Sequence, residues 1–266
     1  MTIRDADDEL PGFFPADSYL EDNDIDSFGS LGGIDWIGDD DNEKIFGADW
    51  MDGLFGRAGN DSLYGLEGGD FITGGDGIDK IFGNAGDDIL ITGYHGSERN
   101  NRRLKGSETI GNGDFASGGS GNDQIFGDNR NPFDEVLFGG AGHDFIRSYE
   151  GDDYIDGGSG ADDLRGGGGA DKIFGREGKD VIRGDADNDK IYGGEGDDTL
   201  RGDDGNDDVW GGAGDDFILA GSGDDDVWGG AGDDHIRGQA GNDTLRGEEG
   251  DDILMGGSNV GGGPND

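Results

Sequence analysis

One apolar position recurs every nine residues through the second half of the chain. Between residues 139 and 255 a branched aliphatic side chain returns about thirteen times, and glycine, aspartate and other polar residues fill most of the interval. In a strand, successive side chains point to opposite faces. The pattern therefore predicts three-residue strands in which the aliphatic side chain faces the core and its two neighbours face outward.

Glycine and aspartate occupy fixed places in the same nine-residue unit. Counting from Gly139, glycine stands at positions 1 and 4, aspartate at position 6 and the aliphatic residue at position 8. Glycine at positions 1, 2 and 4 permits left-handed backbone conformations and close packing of one loop on the next. The aspartates at position 6, which we predict to be metal ligands, are Asp61, Asp70, Asp79, Asp88, Asp123, Asp144, Asp153, Asp162, Asp171, Asp180, Asp189, Asp198, Asp207, Asp216, Asp225, Asp234, Asp243 and Asp252.

A single inward side chain per strand requires two strands to face each other across the core. One coil then takes two repeats, so Asp144 lies near Asp162 in the next coil. Carboxylates stacked at a strand spacing of about 4.8 Å repel each other, but together with loop carbonyls they form an oxygen cage for a hard cation. Calcium, with six to eight oxygen ligands, fits this cage better than magnesium. Zinc and copper are disfavoured because the repeated positions lack histidine and cysteine.

The pattern G-G-x-G-x-D-x-U-x resembles the calcium-binding nonapeptide repeat of repeats-in-toxin (RTX, hemolysin-type) proteins. The resemblance covers roughly residues 56–90 and 118–255, and continues more weakly from Gly29. It implies an all-β fold, a right-handed parallel β-roll (β-solenoid) with two repeats per coil and calcium between stacked loops. Ser148 and Ala220 replace glycine at position 1, and Asp187 replaces it at position 4. We expect weaker or slightly bent sites there.

Composition makes specifically bound counter-ions part of the expected fold. The chain has 63 acidic and 19 basic residues, a formal net charge of -44, and only 30% hydrophobic residues beside 62 glycines. This charge opposes folding unless cations are bound specifically, and it makes nucleic acid and anionic membranes poor partners. Cysteine is absent, so disulfides play no part, and no stretch is long enough to predict a membrane span.

The repeat also divides the chain. We predict an N-terminal arm or cap over residues 1–28 and a β-roll over residues 29–255, followed by a glycine-rich tail over residues 256–266. Within the roll we expect degenerate coils over 29–55, repeats over 56–91, a basic insertion over 92–108 and repeats over 109–255. The insertion holds the one dense basic cluster of the sequence, formed by Arg99, Arg102, Arg103 and Lys105.

The two outer faces of such a roll differ at position 9. One sheet is predicted to carry an arginine ladder and the other an aromatic ladder, which makes both candidate interaction surfaces. Three interpretations remain open: lateral self-association by cation-π contacts, carbohydrate stacking on the aromatic strip, and local stabilisation of the sheets alone. The ladder residues are Arg147, Arg165, Arg183 and Arg201 on one face and Phe174, Tyr192, Trp210 and Trp228 on the other.

These observations predict a non-enzymatic, calcium-binding structural protein. His95, His143 and His235 are scattered singly, and no H-E-x-x-H or G-x-S-x-G motif is present. We expect a roll that folds on calcium binding and self-associates, head-to-tail or laterally, into a filament or surface layer. The alternative is a calcium-dependent folding, secretion or carbohydrate-binding module of a larger secreted protein. The N-terminus has no secretory signal, and the family resemblance implies a secreted or cell-surface location reached by a type I route.

Overall fold

The computed structural model describes residues 35–39, 41–93, 113–127 and 133–257. Within these residues the chain forms 23 strands joined by turns, with no helix. The predicted N-terminal arm, most of the basic insertion and the tail beyond residue 257 lie outside the described residues. The division of the chain into those segments therefore stays a prediction.

The strands alternate between two parallel sheets, because each odd-numbered strand enters one sheet and each even-numbered strand enters the other. The 12-stranded sheet contains β1 Asp35–Ile37, β3 Gly53–Ala58, β5 Phe71–Asp76, β7 Ile89–Gly93, β9 Gln124–Phe126, β11 Phe145–Glu150, β13 Asp163–Gly168, β15 Val181–Ala186, β17 Thr199–Asp204, β19 Phe217–Ser222, β21 His235–Ala240 and β23 Ile253–Gly257. The 11-stranded sheet contains β2 Lys44–Phe46, β4 Ser62–Glu67, β6 Lys80–Ala85, β8 Phe115–Ser120, β10 Val136–Ala141, β12 Tyr154–Ser159, β14 Lys172–Glu177, β16 Lys190–Glu195, β18 Asp208–Ala213, β20 Asp226–Ala231 and β22 Thr244–Glu249.

Register confirms two repeats per coil. Strands that pair within a sheet are offset by one coil, so Ile146 lies beside Leu164 and Ile173 lies beside Ile191. The offset grows at two places only, across residues 94–112 and across residues 128–132, and the pairing resumes in phase after each. In the sequence, both extra segments lie after a strand of the 12-stranded sheet and before a strand of the 11-stranded sheet, one between β7 and β8 and the other between β9 and β10. The parallel β-roll that the repeat predicts is therefore confirmed.

The strands are longer than the predicted three residues. Most of them run for six residues, from position 7 of one repeat to position 3 of the next. Burial alternates along them, as in β13, where Leu164 and Gly166 are buried and the neighbouring residues are partly exposed. Each strand thus turns two residues inward. The prediction of one inward residue was wrong because the second is glycine, which carries no side chain to mark it as part of the core.

The hydrophobic core is one aliphatic side chain deep and follows position 8 along the roll. These side chains are fully buried from Leu54 to Ile236, with Trp36 and Leu245 packed against the two ends. At the C-terminal end the row becomes exposed, since 42% of Leu254 is accessible. A core this narrow places every turn close to it, which is what buries the turn residues described next.

Candidate metal centre

The aspartates at position 6 lie in the turns that connect the two sheets, immediately before each strand. Sixteen of the eighteen predicted ligands are buried, from Asp61 to Asp234, while Asp243 and Asp252 in the last coil are partly exposed. The structure brings them together in two rows, one on each edge of the roll, because successive turns on an edge are one coil apart. Asp144, Asp162 and Asp180 belong to one row, and Asp153 and Asp171 belong to the other.

One oxygen of each carboxylate holds the neighbouring turn. The backbone N–H of Asp144 donates to Oδ1 of Asp162 at 2.8 Å, and the N–H of Asp162 donates to Oδ1 of Asp180 at 2.9 Å. The same bond recurs along both edges, across the longer turns as well. Each aspartate therefore serves as a structural acceptor for the coil before it, and it keeps one further oxygen.

The second oxygen, Oδ2, is buried and has no hydrogen-bond partner among the described residues in most of the rows. It lies over the position 1 glycine of its own repeat: a Cβ added at Gly139 would overlap both Asp144 Oδ2 and the carbonyl oxygen of Gly157. At Gly175 the same two atoms are Asp180 Oδ2 and the carbonyl oxygen of Gly193. A carboxylate oxygen and a carbonyl oxygen thus converge at each turn with no proton donor between them.

Position 1 is glycine for this steric reason and not for its backbone angle. Positive φ occurs at positions 2 and 4, as at Gly140 (116°) and Gly142 (144°), while Gly139 lies outside that region. Position 2 also accepts side chains in the left-handed conformation, for example Tyr149 and Arg176. Of the two reasons that the sequence offered for glycine, close packing therefore applies at position 1, and a left-handed backbone applies at positions 2 and 4.

Burial makes these carboxylates hard to ionise. It raises the pKa of Asp171 from 3.8 to about 9, partly offset by the backbone N–H of Asp153, and the charge of Asp153 raises it further. Burial likewise raises the pKa of Asp79 to about 8 and that of Asp162 to about 7. Aspartates in water ionise near pH 4. At neutral pH the carboxylates of Asp79 and Asp171 therefore hold a proton unless a cation takes its place.

The donor set fits calcium. The turns offer hard carboxylate and carbonyl oxygens, including buried carboxylate oxygens without a partner, which calcium accepts in flexible arrangements. Within the described residues, no three His, Cys, Asp or Glu side chains converge on one point. Main-chain carbonyls would therefore supply most of the ligands. The individual ligand assignments remain predictions.

Three further acidic residues share the place of the predicted ligands. Asp52, Asp114 and Glu135 are buried at position 6 of imperfect repeats. The N–H of Asp79 donates to Oδ1 of Asp114 at 2.7 Å, which carries the row across the longer turn. The nine-residue spacing places Asp52 at position 6 of a degenerate coil in which Trp50 replaces glycine at position 4.

Position 5 forms a second ladder that the sequence pattern did not reveal. Its side chain accepts the backbone N–H of position 5 in the following coil: Asp215 Oδ1 accepts from Asp233 at 2.9 Å, and His143 Nδ1 accepts from Ala161 at 2.7 Å. Position 6 accepts from the preceding coil, so the two ladders run in opposite directions along each edge. Frequent Asn and Asp at position 5 were the available signal.

The arginine ladder lies on the outer face of the 12-stranded sheet. Arg147, Arg165, Arg183 and Arg201 occupy adjacent strands in register. Acidic residues share this face, since Arg165 Nε lies 3.5 Å from Asp163 Oδ1. The face therefore presents mixed charge, with the guanidinium groups partly neutralised by their own sheet.

The aromatic ladder lies on the outer face of the 11-stranded sheet and is longer than predicted. Ten rings follow one another with centroids 4.4 to 5.7 Å apart, from Phe46 to Trp228. Phe115 and Tyr154 enter from position 7 where position 9 is not aromatic. The rings of Phe174, Tyr192, Trp210 and Trp228 are nearly parallel, with interplanar angles of 1 to 9°. Both faces of Tyr192 and Trp210 are thus covered by neighbouring rings, whereas the rings from Phe82 to Phe174 are tilted by 42 to 45° to one another.

Comparison with known proteins agrees with the repeat. A sequence model of the RTX calcium-binding nonapeptide repeat (4 copies) matches residues 37–93, 111–129 and 131–259 in overlapping segments. No curated protein matches the chain. Among solved structures, a hyperactive, Ca2+-dependent, beta-helical antifreeze protein from an Antarctic bacterium is similar at 17% identity over 84% of this chain and 83% of that chain, with a TM-score of 0.35.

Two negative predictions are not decided by these findings. The described residues contain no helix long and apolar enough to cross a membrane. The prediction that the protein is not an enzyme stays a prediction. The family match, in contrast, covers more than half of the chain, and the chain therefore belongs to the RTX calcium-binding nonapeptide repeat family, with calcium as its cofactor.

Proposed function

We propose that this chain is an extracellular structural protein that folds when it binds calcium and then self-assembles. The observation that carries the proposal is the pair of rows of buried aspartates, most of which have an oxygen that no proton donor among the described residues satisfies. Burying an unpaired charge is strongly unfavourable. The roll is therefore stable at neutral pH only when cations or protons neutralise the buried carboxylates.

Coupling between folding and calcium follows from the position of the ligands. The carboxylates of one site come from turns one coil apart, so the unfolded chain holds no preformed site. The free energy of calcium binding then becomes free energy of folding. Such a chain is unfolded and self-repelling where calcium is scarce. It folds where calcium is plentiful, as outside the cell, which suits export of the unfolded chain by a type I route.

Assembly is supported by the C-terminal end of the roll. In the interior, position 8 residues such as Ile236 are fully buried by the coils on both sides. In the last coil Ile253, Leu254 and Met255 are 43%, 42% and 49% accessible. Among the described residues β23 pairs on one side only, and its apolar core residue is exposed. Such a strand edge is a template for pairing with another chain. A second copy of the roll presents the same strand spacing and is the partner we propose.

The outer faces support a smaller role. Carbohydrate stacking and intermolecular cation-π contacts both use the face of an aromatic ring. In the aromatic ladder these faces are occupied by the neighbouring rings, and Arg246 of the same chain lies 5.0 Å from the centroid of Trp228. The ladder is therefore better suited to stabilising its own sheet, and end-to-end assembly is favoured over lateral assembly.

Calcium titration with circular dichroism and light scattering on one sample tests the proposal. At neutral pH we expect β structure to appear with calcium and not with magnesium, and scattering to rise with protein concentration once the roll has folded. β structure that is already complete in chelator would contradict the coupling of folding to calcium. A folded monomer at all concentrations would favour the alternative, a calcium-dependent module of a larger secreted protein.

A variant separates assembly from folding. Leu254→Asp places a charge on the exposed end, so we expect the calcium-induced circular dichroism to persist while the rise in scattering is lost. Phe71→Asp is the matched control, since Phe71 has a similar accessibility of 38% but lies in β5, far from the end. Equal loss of scattering in both variants would show that assembly does not proceed through the C-terminal coil.

A further inference from the structure

The two edges of the roll differ in regularity. We call the turns that lead from the 11-stranded to the 12-stranded sheet the regular edge. From Gly65 to Asp252, each of its turns has glycine at positions 1 and 4 and aspartate at position 6. The position 6 hydrogen bonds run along it without a break, from the N–H of Asp52 to the carboxylate of Asp252.

The opposite edge collects the departures from the repeat. We call the turns that lead from the 12-stranded to the 11-stranded sheet the interrupted edge. Both longer turns belong to it, and Glu135 replaces aspartate in one of them. Within the strands described, the position 1 residues other than glycine also belong to it and fall in β7, β11 and β19. They are Thr92, Ser148 and Ala220.

Ser148 puts a side chain where the other turns bring two oxygens together. It is fully buried, and its hydroxyl donates to the carbonyl oxygen of Gly166 at 2.8 Å. That carbonyl corresponds to the one that faces Asp144 Oδ2 over Gly139 on the regular edge. The hydroxyl has a single proton, so Asp153 Oδ2 in the same turn keeps no hydrogen-bond partner among the described residues. The serine side chain thus fills the space, and takes the carbonyl oxygen, that a cation would use at a turn with glycine at position 1.

Ala220 has the same effect by a simpler route. Its methyl group is fully buried beside the turn that carries Asp225, and a methyl group offers no ligand. Thr92 is likewise fully buried at position 1 of the first long turn. Because these side chains are enclosed, they cannot rotate into solvent to make room. The interrupted edge is therefore divided into short runs of turns with glycine at position 1.

Neighbouring turns on an edge are mechanically coupled. Each position 6 carboxylate accepts the N–H of the preceding turn, so a cation that fixes one carboxylate also orders the turn next to it. Coupling of this kind makes binding cooperative along an unbroken row. At a blocked turn the hydrogen bonds to the turns on either side remain, as at Asp153 and Asp225, but no cation adds to the ordering. The run of bound cations therefore ends there.

From this arrangement we infer that the two edges form two classes of calcium site. The regular edge binds calcium cooperatively at low concentration and holds the roll folded, whereas the interrupted edge fills in short runs at higher concentration. The inference rests on the proposed calcium-dependent function and deepens it. The protein would then respond to calcium in two stages, with Ser148 and Ala220 setting the second.

Calcium binding to the full-length chain, measured by equilibrium dialysis against free calcium, tests the inference. We expect two steps, with the second at about tenfold higher calcium, the size of effect that changes around metal ligands commonly have. The double variant Ser148→Gly and Ala220→Gly restores glycine at position 1. We expect it to move the second step about tenfold toward the first and to make it steeper.

A mirror variant gives the matched control. Gly139→Ser and Gly211→Ala place the same two side chains, at the same separation, on the regular edge, and we expect the first step to move to higher calcium. A single step in the parent chain, or an isotherm that neither double variant changes, would overturn the inference while leaving calcium binding intact. A parent chain that binds no calcium at millimolar concentration would instead refute the proposed function itself, and the inference with it.

Discussion

Two kinds of side chain are equally buried in this roll, and their burial has opposite effects on the stability of the fold. The aliphatic residues at position 8 from Leu54 to Ile236, and most of the aspartates at position 6 in the same coils, have at most 2% of their surface accessible. Burying an aliphatic side chain stabilises the fold by about 1.5–3 kcal/mol. Burying a carboxylate without a partner destabilises it. The comparison shows that the core supplies the shape of the roll, whereas the occupancy of the acidic rows decides whether the shape is stable.

The balance between the aliphatic core and the acidic rows favours unfolding in the absence of cations. A pKa raised from 3.8 to about 7, as at Asp162, corresponds to about 4 kcal/mol for each carboxylate that ionises at neutral pH. The net stability of a domain is only about 5–15 kcal/mol. Several such carboxylates therefore outweigh the narrow core, and both rows contain many.

Acid should replace calcium, and this is the largest effect we expect. Burial raises the pKa of the aspartates above the 3.8 of the unfolded chain, to about 6 at Asp88 and about 8 at Asp79. Between pH 3.8 and these raised values the folded chain holds more protons than the unfolded chain. The stability of the fold is therefore present at low pH and is lost as pH rises. In chelator we expect β structure by circular dichroism at about pH 4.5 and its loss by about pH 8.

A control separates this effect from precipitation near the isoelectric point. The acid sample is cleared by centrifugation and compared by light scattering with the calcium-bound protein at neutral pH. A chain that remains unfolded and soluble at low pH in chelator would show that charge on the aspartates is not what opposes folding. Calcium should abolish the pH dependence across the same range, because a bound cation removes the need for the protons.

Much of this arrangement was accessible from the sequence because the repeat is short and regular. The period alone assigned Ile146 to the core and Asp144 to a turn, and pairing by coils placed Arg147 beside Arg165. The sequence could not show why position 1 is glycine, because a lack of room for a side chain and a left-handed backbone both select glycine. The continuity of the aromatic ladder was also missed, because Phe115 joins it only after the long turn brings it next to Phe82.

A deletion in the aliphatic row should weaken the roll with and without calcium. Ile182 is fully buried in β15, and Ile182→Ala is expected to lower the free energy of unfolding by about 2–5 kcal/mol. Urea denaturation in calcium at neutral pH and in chelator at low pH should give similar losses. Val181→Ala, on the outer face of the same strand, is the control and should cost less. A loss of stability confined to the calcium-bound form would show that the aliphatic core and the acidic rows do not contribute separately.

A substitution in the acidic row should stabilise the metal-free protein and destabilise the calcium-bound protein. In Asp180→Asn the Oδ1 acceptor for the N–H of Asp162 is retained, and the amide can donate to the carbonyl oxygen of Gly193 over Gly175. We expect the metal-free form at neutral pH to gain about 1–3 kcal/mol and calcium binding to weaken. By circular dichroism in chelator, β structure should persist to higher pH in Asp180→Asn than in the parent chain, and calcium titration measures the loss of binding.

An exposed aspartate provides the matched control for that substitution. Asp197 at position 5 also accepts a backbone N–H, from Asp215, and its replacement by asparagine removes the same charge. Because Asp197 is exposed, Asp197→Asn should change both quantities little. If Asp197→Asn and Asp180→Asn have equal effects, net charge and not the buried position controls stability.

The smallest effect is expected on the outer surface, where neither burial of charge nor the core is involved. Trp210 stacks between Tyr192 and Trp228, with centroids 4.4 and 4.7 Å away. Trp210→Leu keeps an apolar side chain and removes two ring contacts, each worth about 0.5–1.5 kcal/mol. Urea denaturation in calcium should show the loss, and near-ultraviolet circular dichroism should lose the signal of the stacked rings. Trp50→Leu, at a 58% accessible turn residue, should leave stability unchanged. The ladder touches neither row of aspartates, so Trp210→Leu should leave the calcium concentration at half saturation unchanged. A shift in that concentration would mean that the outer face and the acidic rows are not independent.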